Sequence, residues 1–412
     1  MFNPSLKFQV LKDERKRKRC LLFRATDFAS LMYPCFTVCR ILGIFSYKFN
    51  AVNIKTYKPS YILSTISIFV FSIVYSINLY EMNVRGDKRY KSVGIPRILD
   101  FNSYYIFGGV IVISTFILSE PRMRCLQTIL GLSLKLPLDS YQNLSRIIHA
   151  KDIFFLLYLF VGLYRYLSAL QISIVRKLLM LYLSLFVFQM DMLYMNCVCI
   201  LKACFKQIND NLVNLREVLT NGEPYLLNGA SRNQRNPFLL MKITALKKQH
   251  LSISDSVRML KMVYSLQLVS TILMAFTHIT FNMYFYFLAL VQKSVPLTSV
   301  EKQVLYEYFI TFIVYYIIKI ALMVWACETG KNQAREITTT IYNVFNSTNN
   351  KQIKYELELF SLQLLHCENV FSAKWITIDA KLLTAIIGSI TTYLLILLQF
   401  LFTPHSCSGK ST

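Results

Sequence analysis

The chain has 412 residues, of which 54% are hydrophobic, 14% aromatic and only 16% charged. A soluble domain averages about 25% charged residues, so an ordinary water-soluble fold is excluded, and recurrent apolar runs of about 20 residues define a polytopic membrane protein. The excess of 45 Lys+Arg over 22 Asp+Glu lies in the connections between those runs, where membrane orientation accounts for it, so nucleic acid is not expected as a partner.

Residues 1–60 contain a basic cluster, KDERKRKRC, and an apolar stretch at 28–47, FASLMYPCFTVCRILGIFSY, interrupted by Pro34 and Arg40. No small-residue cleavage site follows the basic cluster, so a signal peptide is not expected. Seven later segments are long and apolar enough to span: 61–81, 101–120, 151–170, 177–201, 262–292, 304–326 and 380–402. With the N-terminus cytoplasmic and 28–47 not crossing, the inner segments hold about 31 Lys/Arg and the outer ones about 10. Letting 28–47 cross gives about 18 against 22, and the positive-inside bias vanishes. The charge count thus predicts an all-α protein of seven transmembrane helices with its N-terminus inside and its C-terminus outside. The stretch 28–47 is then a re-entrant or interfacial helix whose Arg40 reaches the headgroups.

The regions that follow are a cytoplasmic N-terminus (1–60), transmembrane helices one to four (61–201), cytoplasmic helices (202–261), helices five and six (262–326), cytoplasmic anchor helices (327–379), a last helix (380–402) and an extracellular tail (403–412). The polar NGEPYLLNGASRNQRNP at 221–237 reads as a flexible loop. Between 351 and 366, Ile353, Leu357, Phe360, Leu364 and Leu365 recur at helical spacing and predict an amphipathic packing helix. The sequons at Asn143 and Asn346 fall on the cytoplasmic side and should be unmodified, and with only Cys407 clearly outside, the cysteines should be reduced thiols.

Enzymatic motifs are missing from the sequence: there is no Walker loop, G-x-S-x-G, dinucleotide fingerprint or paired metal-ligand spacing, and no cofactor or metal is expected. What stands out is polarity inside the spans. Asp191 and Lys319 sit within the fourth and sixth spans, where a charge costs at least about 2.5 to 3.5 kcal/mol and usually faces a cavity or another charge. Tyr104, Tyr164, Gln189, Thr280, Asn282, Tyr308 and Tyr315 occupy the outer halves of the spans. An interfacial aromatic belt explains part of that set; with Asp191, the remainder has the mixed chemistry of a small-molecule site.

In the last span, Ser389, Thr392 and Gln399 share one face, and Tyr393 and Phe400 form the adjacent stripe. Read alone, this pattern suits interhelical hydrogen bonding, and it also suits a pore lining in an oligomer.

Thr392-Tyr393, five apolar residues and Gln399-Phe400 match the T-Y-(five apolar)-Q-F signature of the insect gustatory receptor family. ELELFSLQLLH at 356–366 and TGKNQAREI at 329–337 are similar to the segments that precede that family's final span. The resemblance implies a homotetrameric, tastant-gated, non-selective cation channel of the plasma membrane, with participation of related receptor subunits left open. It makes Gln399 and Phe400 the gate candidates, with Thr392 and Tyr393 positioning the helix. The expected partners are a small-molecule tastant, a sugar or a bitter compound, together with permeating cations and the lipid bilayer. A metabotropic seven-span receptor or a solute transporter is the alternative class.

Overall fold

The computed structural model describes residues 22–44, 47–49, 54–56, 58–84, 95–169, 173–220, 229–291 and 299–402. The basic N-terminal cluster, residues 221–228 and the tail 403–412 with Cys407 lie outside the described residues. Among the described residues the chain forms ten helices and one two-stranded hairpin.

The first helix, α1 (Phe28–Ile41), starts from a capping box in which Asp27 accepts from Ser30 N and Ser30 closes on the Asp27 backbone. It ends at Gly43, whose φ of +72° closes a Schellman turn: Ile44 N donates to Cys39 O at 2.8 Å and Gly43 N to Arg40 O at 3.1 Å. Its 14 residues reach about 21 Å, short of the roughly 30 Å hydrocarbon core. Phe28, Leu31, Met32, Cys35, Phe36 and Cys39 turn one buried face inward. His149 Nε2 at 2.8 Å from Leu31 O and Gln189 Nε2, donating to Cys35 O at 3.0 Å, fix that face to the bundle.

A short antiparallel hairpin follows, β1 (Tyr47–Phe49) with β2 (Ile54–Thr56). Then come α2 (Lys58–Asn83), α3 (Ile95–Ile117), α4 (Ser119–Ser133), α5 (Leu138–Ala169), α6 (Ile174–Thr220), α7 (Gly229–Val291), α8 (Ser299–Asn346), α9 (Lys351–His366) and α10 (Ala380–Phe402). Seven of these, α2, α3, α5, α6, α7, α8 and α10, are long and apolar enough to cross a membrane. They are the seven spans that hydropathy predicts.

Helices α6, α7 and α8 have 47, 63 and 48 residues, lengths of about 70, 95 and 70 Å, so each extends well past a bilayer. The polar stretch expected to be a loop is helical from Gly229 onward, through Pro237. A long helix already nucleated by its buried part extends cheaply into a water-facing turn. Helix α6 is the axis of the bundle, with most of its apolar stretch buried, whereas the apolar stretches of α10 and α2 are mostly uncovered. Close approach of α3 depends on two glycines: a Cβ at Gly108 would meet Leu183 side-chain atoms at 2.7 Å, and one at Gly109 the Tyr75 hydroxyl at 2.6 Å.

Beyond the spans, α9 is capped by Asn350, which accepts from Gln352 N and Ile353 N, and buries Ile353, Leu357 and Phe360. Leu364 is half-buried against the core, while Leu365, one position further round, is 75% exposed and not part of the stripe. His250 of α7 lies between the rings of Phe205 and Phe360. Gln363 Nε2 donates to His250 Nδ1 at 3.0 Å, which leaves the ring proton on Nε2, 3.3 Å from the Asn369 amide. With that tautomer, Asn369 turns its carbonyl oxygen to the ring, which also employs the otherwise unpartnered Oδ1. His250 thus ties α7 to α9 and to the segment that leads into α10. All eight described cysteines are free thiols.

Two buried groups generate predictions. Asp191 and Lys319, 3.0 Å apart and both inaccessible, should be separable only at a cost: Lys319→Met alone lowers stability by about 3–5 kcal/mol, and adding Asp191→Asn restores much of it. Thermal melting in detergent checks both. Burial pushes the His250 imidazole down to about 4 from 6.5, so the fold holds it neutral. The stability this contributes is complete above about pH 6.5 and is lost as pH falls toward 4, by about 1.4 kcal/mol per unit. Melting temperatures across that interval should fall for the native chain and flatten in His250→Gln.

Candidate ligand cavity and the last helix

At the end of the bundle where α3, α6 and α8 begin and α5 and α7 finish, five helices line a cavity that is partly open to the outside. Each helix turns one stripe toward it. Helix α8 contributes Tyr308, Phe312, Tyr315, Tyr316 and Lys319, spaced by 4, 3, 1 and 3 on a single face. Asp100, Phe101 and Tyr104 come from α3, Leu159, Leu163 and Tyr166 from α5, Met180, Ser184 and Val187 from α6, and Met274 and His278 from α7.

Ring geometry shapes the walls. Tyr166 and Tyr308 stack with centroids 4.1 Å apart at 10°, and His278 stacks on Tyr316 at 5.2 Å and 7° while meeting the edge of Tyr104 at 5.3 Å. Such pairs are worth about 0.5–1.5 kcal/mol beyond their buried area and hold the rings in fixed planes.

Most polar groups at the wall already have partners. Tyr104 donates to Met180 O at 3.0 Å and lies 2.6 Å from Ser184 Oγ. Lys319 at the floor is matched by Asp191, which also accepts from Thr271 Oγ1 at 2.9 Å and Gln267 Nε2 at 3.3 Å. Asp100 is 3.0 Å from His278 Nδ1 and 3.6 Å from Arg97, whose guanidinium donates to the Tyr166 hydroxyl at 3.2 Å. Among the described residues, His278 Nε2 and the Asp100 Oδ1 that lies beside Nδ1 are both buried without a hydrogen-bond partner. The result is an aromatic slot whose charged groups lie beside one another, with open hydrogen-bonding capacity at His278 Nε2 and Asp100 Oδ1 among the described residues.

The residues singled out from the sequence are distributed unevenly around this space. Tyr104, Tyr308 and Tyr315 line it, and Asp191 stands behind Lys319. Gln189 instead holds α1 through Cys35, Thr280 Oγ1 donates to Phe276 O at 2.8 Å, and Asn282 Nδ2 donates to His278 O at 2.7 Å. Tyr164 is 76% exposed on the outer face of α5. Asp100 and His278 were missed: one sits at the very edge of a hydropathic span, and the other had no recognisable partner within its own stretch of sequence.

Helix α10 packs along one side only. Leu394 joins Tyr284, Phe285 and Phe309 in a small apolar cluster, and Tyr393 meets the edge of Phe276 at 5.7 Å. Thr391 and Thr392 donate to Ile387 O and Gly388 O of their own helix at 2.9 and 3.0 Å. Thr391, Thr392, Tyr393 and Gln399 are exposed, and the Phe400 side chain lies outside the described residues. The cavity and this helix share a wall: Arg97, bonded to Tyr166, also lies 5.0 Å over the Phe285 ring.

Comparison with known proteins agrees with this architecture. A family model described as 7tm chemosensory receptor matches residues 32–403. Gustatory receptor 28b of Drosophila melanogaster is 30% identical over 138 residues, 33% of this chain and 29% of that protein. Gustatory receptor 28a of the same species is 27% identical over 166 residues, 40% of this chain and 37% of that one. The matched segments therefore span about a third of those relatives. In structure, the chain is similar to the insect olfactory receptor OR5 from Machilis hrabei, with a TM-score of 0.66 at 13% identity over 90% of this chain and 97% of that one. The same receptor in complex with eugenol gives 0.64 at 12% identity with the same coverage. Seven apolar spans, the helical fold and a match over nearly the whole sequence lead to one conclusion: this multi-pass membrane chain belongs to the 7tm chemosensory receptor family of insects.

Proposed function

We propose that the chain is a gustatory receptor that works as a ligand-gated, non-selective cation channel, assembled as a homotetramer around the α10 helices. The observation that carries this reading is the state of α10 in a single chain. Its uncovered side carries Thr392, Tyr393 and Gln399 among the apolar residues, a polar stripe that further copies or water suit better than lipid does. Thr392, Tyr393, Gln399 and Phe400 then belong to the pore and its gate, at the extracellular end given by the positive-inside count.

The ligand reading follows from the unoccupied chemistry of the cavity. A sugar needs many hydrogen-bonding groups with free capacity, and here the Asp191 carboxylate, the Lys319 ammonium and Tyr104 are already engaged. Seven aromatic rings and one open imidazole nitrogen suit a small, neutral, planar compound with a single donor, the chemistry of a phenolic bitter substance. Its ring lies among Tyr166, Tyr308 and Tyr315, and its hydroxyl donates to His278 Nε2.

Binding works as a switch only if the ligand prefers one arrangement of the helices. The contact between cavity and pore is short: Tyr308 faces the ligand, its neighbour Phe309 packs with Leu394, and Arg97 bridges Tyr166 to Phe285. A ligand that moves α8 against α3 thus displaces the support of α10.

Whole-cell recording of the expressed chain tests each step. Phenols should evoke current without nucleotides, their O-methyl ethers should be about tenfold weaker, and sugars should be inert. Currents from sugars alone would reject the ligand class, and uptake without current would reject the channel. His278→Phe should remove the preference for phenols over ethers. Phe309→Ala should lower maximal current with ligand binding retained, and Gln399→Ala should alter permeation or basal current.

A further inference from the structure

Lys151, Lys202, Lys206 and Lys331 lie where the apolar stretches of α5, α6 and α8 end, on the side of the bundle that the positive-inside count assigns to the cytoplasm. Two of them are matched by carboxylates, Lys151 by its neighbour Asp152 and Lys331 by Glu328 at 3.5 Å. Lys202 and Lys206 have no carboxylate partner among the described residues. They stand one turn apart on α6, on a single stripe. Around them Leu201, Cys204 and Phe205 are buried, so this stripe is where the most enclosed helix of the bundle reaches its surface.

Lys202 does not stretch away into water. Its ammonium lies 5.2 Å over the ring of Trp325, on the last turn of the α8 span, and that ring is 43% exposed. A tryptophan at the end of a span sits at headgroup level, so the ammonium is held at the depth of the glycerol and phosphate groups of a bilayer. From Trp325 toward the membrane centre, Ala321, Ile318 and Ile317 are exposed on the same side of α8. They continue the strip for about 12 Å, most of the roughly 15 Å of hydrocarbon in one leaflet. In order along the strip stand an apolar track, an aromatic ring with its cation, and a second cation about 6 Å further out.

From this we propose that the strip between α6 and α8 holds an acidic phospholipid of the cytoplasmic leaflet. Its headgroup lies on Lys202 and Lys206, its glycerol against Trp325 and one acyl chain along Ala321, Ile318 and Ile317. A choline headgroup brings its own cation and leaves the two ammonium groups unmatched, whereas a headgroup of net negative charge matches them. A soluble phosphate ester would meet the lysines but has nothing to lay on the apolar track. Trp325 stands about 160° round α8 from Phe309, which packs with Leu394 of α10. The lipid and α10 therefore bear on opposite faces of one helix, and the supply of acidic lipid sets how firmly α8 is held to α6.

The chain has two tryptophans, so Trp375→Phe leaves Trp325 as the single fluorescent reporter. The test places that full chain in phosphatidylcholine nanodiscs in which about one lipid in ten carries bromine on its acyl chains. Brominated phosphatidylserine should quench about half of the Trp325 emission and brominated phosphatidylcholine about a tenth, which is about a tenfold preference from two lysines. The difference should shrink as salt rises from about 0.1 M to about 1 M. Lys202→Gln together with Lys206→Gln should bring the two lipids to the same quenching, while Lys202→Arg with Lys206→Arg keeps both charges and should keep the preference. Lys374→Gln should change nothing. Equal quenching by the two lipids before any lysine is changed, a preference that survives the paired Gln substitutions, or its loss on adding millimolar glycerophosphoserine would each overturn the proposal.

Discussion

The buried ion pair between Asp191 and Lys319 is the constraint around which the bundle is organised. Both groups are withdrawn from solvent, and Asp191 takes further bonds from Thr271 and Gln267, so α6, α7 and α8 meet at one carboxylate. Removing two charges from water is costly, and only near-complete pairing makes the arrangement tolerable. That requirement fixes the register of three long helices against one another far more narrowly than interchangeable leucine contacts could. It also forms the floor of the aromatic cavity, so the shape of the cavity inherits the precision of the pair.

Packing is graded outward from that point. Helix α6 is enclosed, α3 is drawn close by Gly108 and Gly109, and α2 and α10 lie at the margin with most of their apolar surface uncovered. In lipid such surface carries no penalty, because there is no hydrophobic gain to be had from burying one apolar helix against another. Marginal helices are consequently held by a few specific contacts: Tyr75 to the Tyr105 carbonyl for α2, and the Tyr393–Phe276 and Leu394–Phe285 contacts for α10. These are the elements that can move or take partners without disturbing the rest.

The spans were legible because hydropathy and helix length are one-dimensional properties. Asp191 and Lys319 were legible as misplaced charges, although nothing local paired a residue of α6 with one 128 positions later. Gln189 has the chemistry of a ligand contact, yet it serves Cys35 of α1, since a short helix inside the bundle needs polar anchoring that sequence does not advertise. Asp100 and His278 escaped notice for the opposite reason, each being unremarkable until folding sets them 3.0 Å apart. Tyr164 and Tyr166 are two positions apart in the same motif, and only helix rotation sends one to lipid and the other to the cavity. Periodicity failed by a single step at Leu365, where two adjacent leucines cannot both face the core.

Helix α7 runs without interruption for 63 residues, and its one proline, Pro237, lies far from the cavity. A rod without a hinge does not bend where a molecule pushes on it; it tilts. Thr271, clamped to Asp191, acts as the fulcrum, about 30 Å from one end of the helix and about 63 Å from the other. On that rod His278 at the cavity lies about 10 Å from Thr271 and His250 about 32 Å away on the other side, so a sub-ångström adjustment at His278 would become a displacement about three times as large at His250, where α9 and the segment leading into α10 are attached.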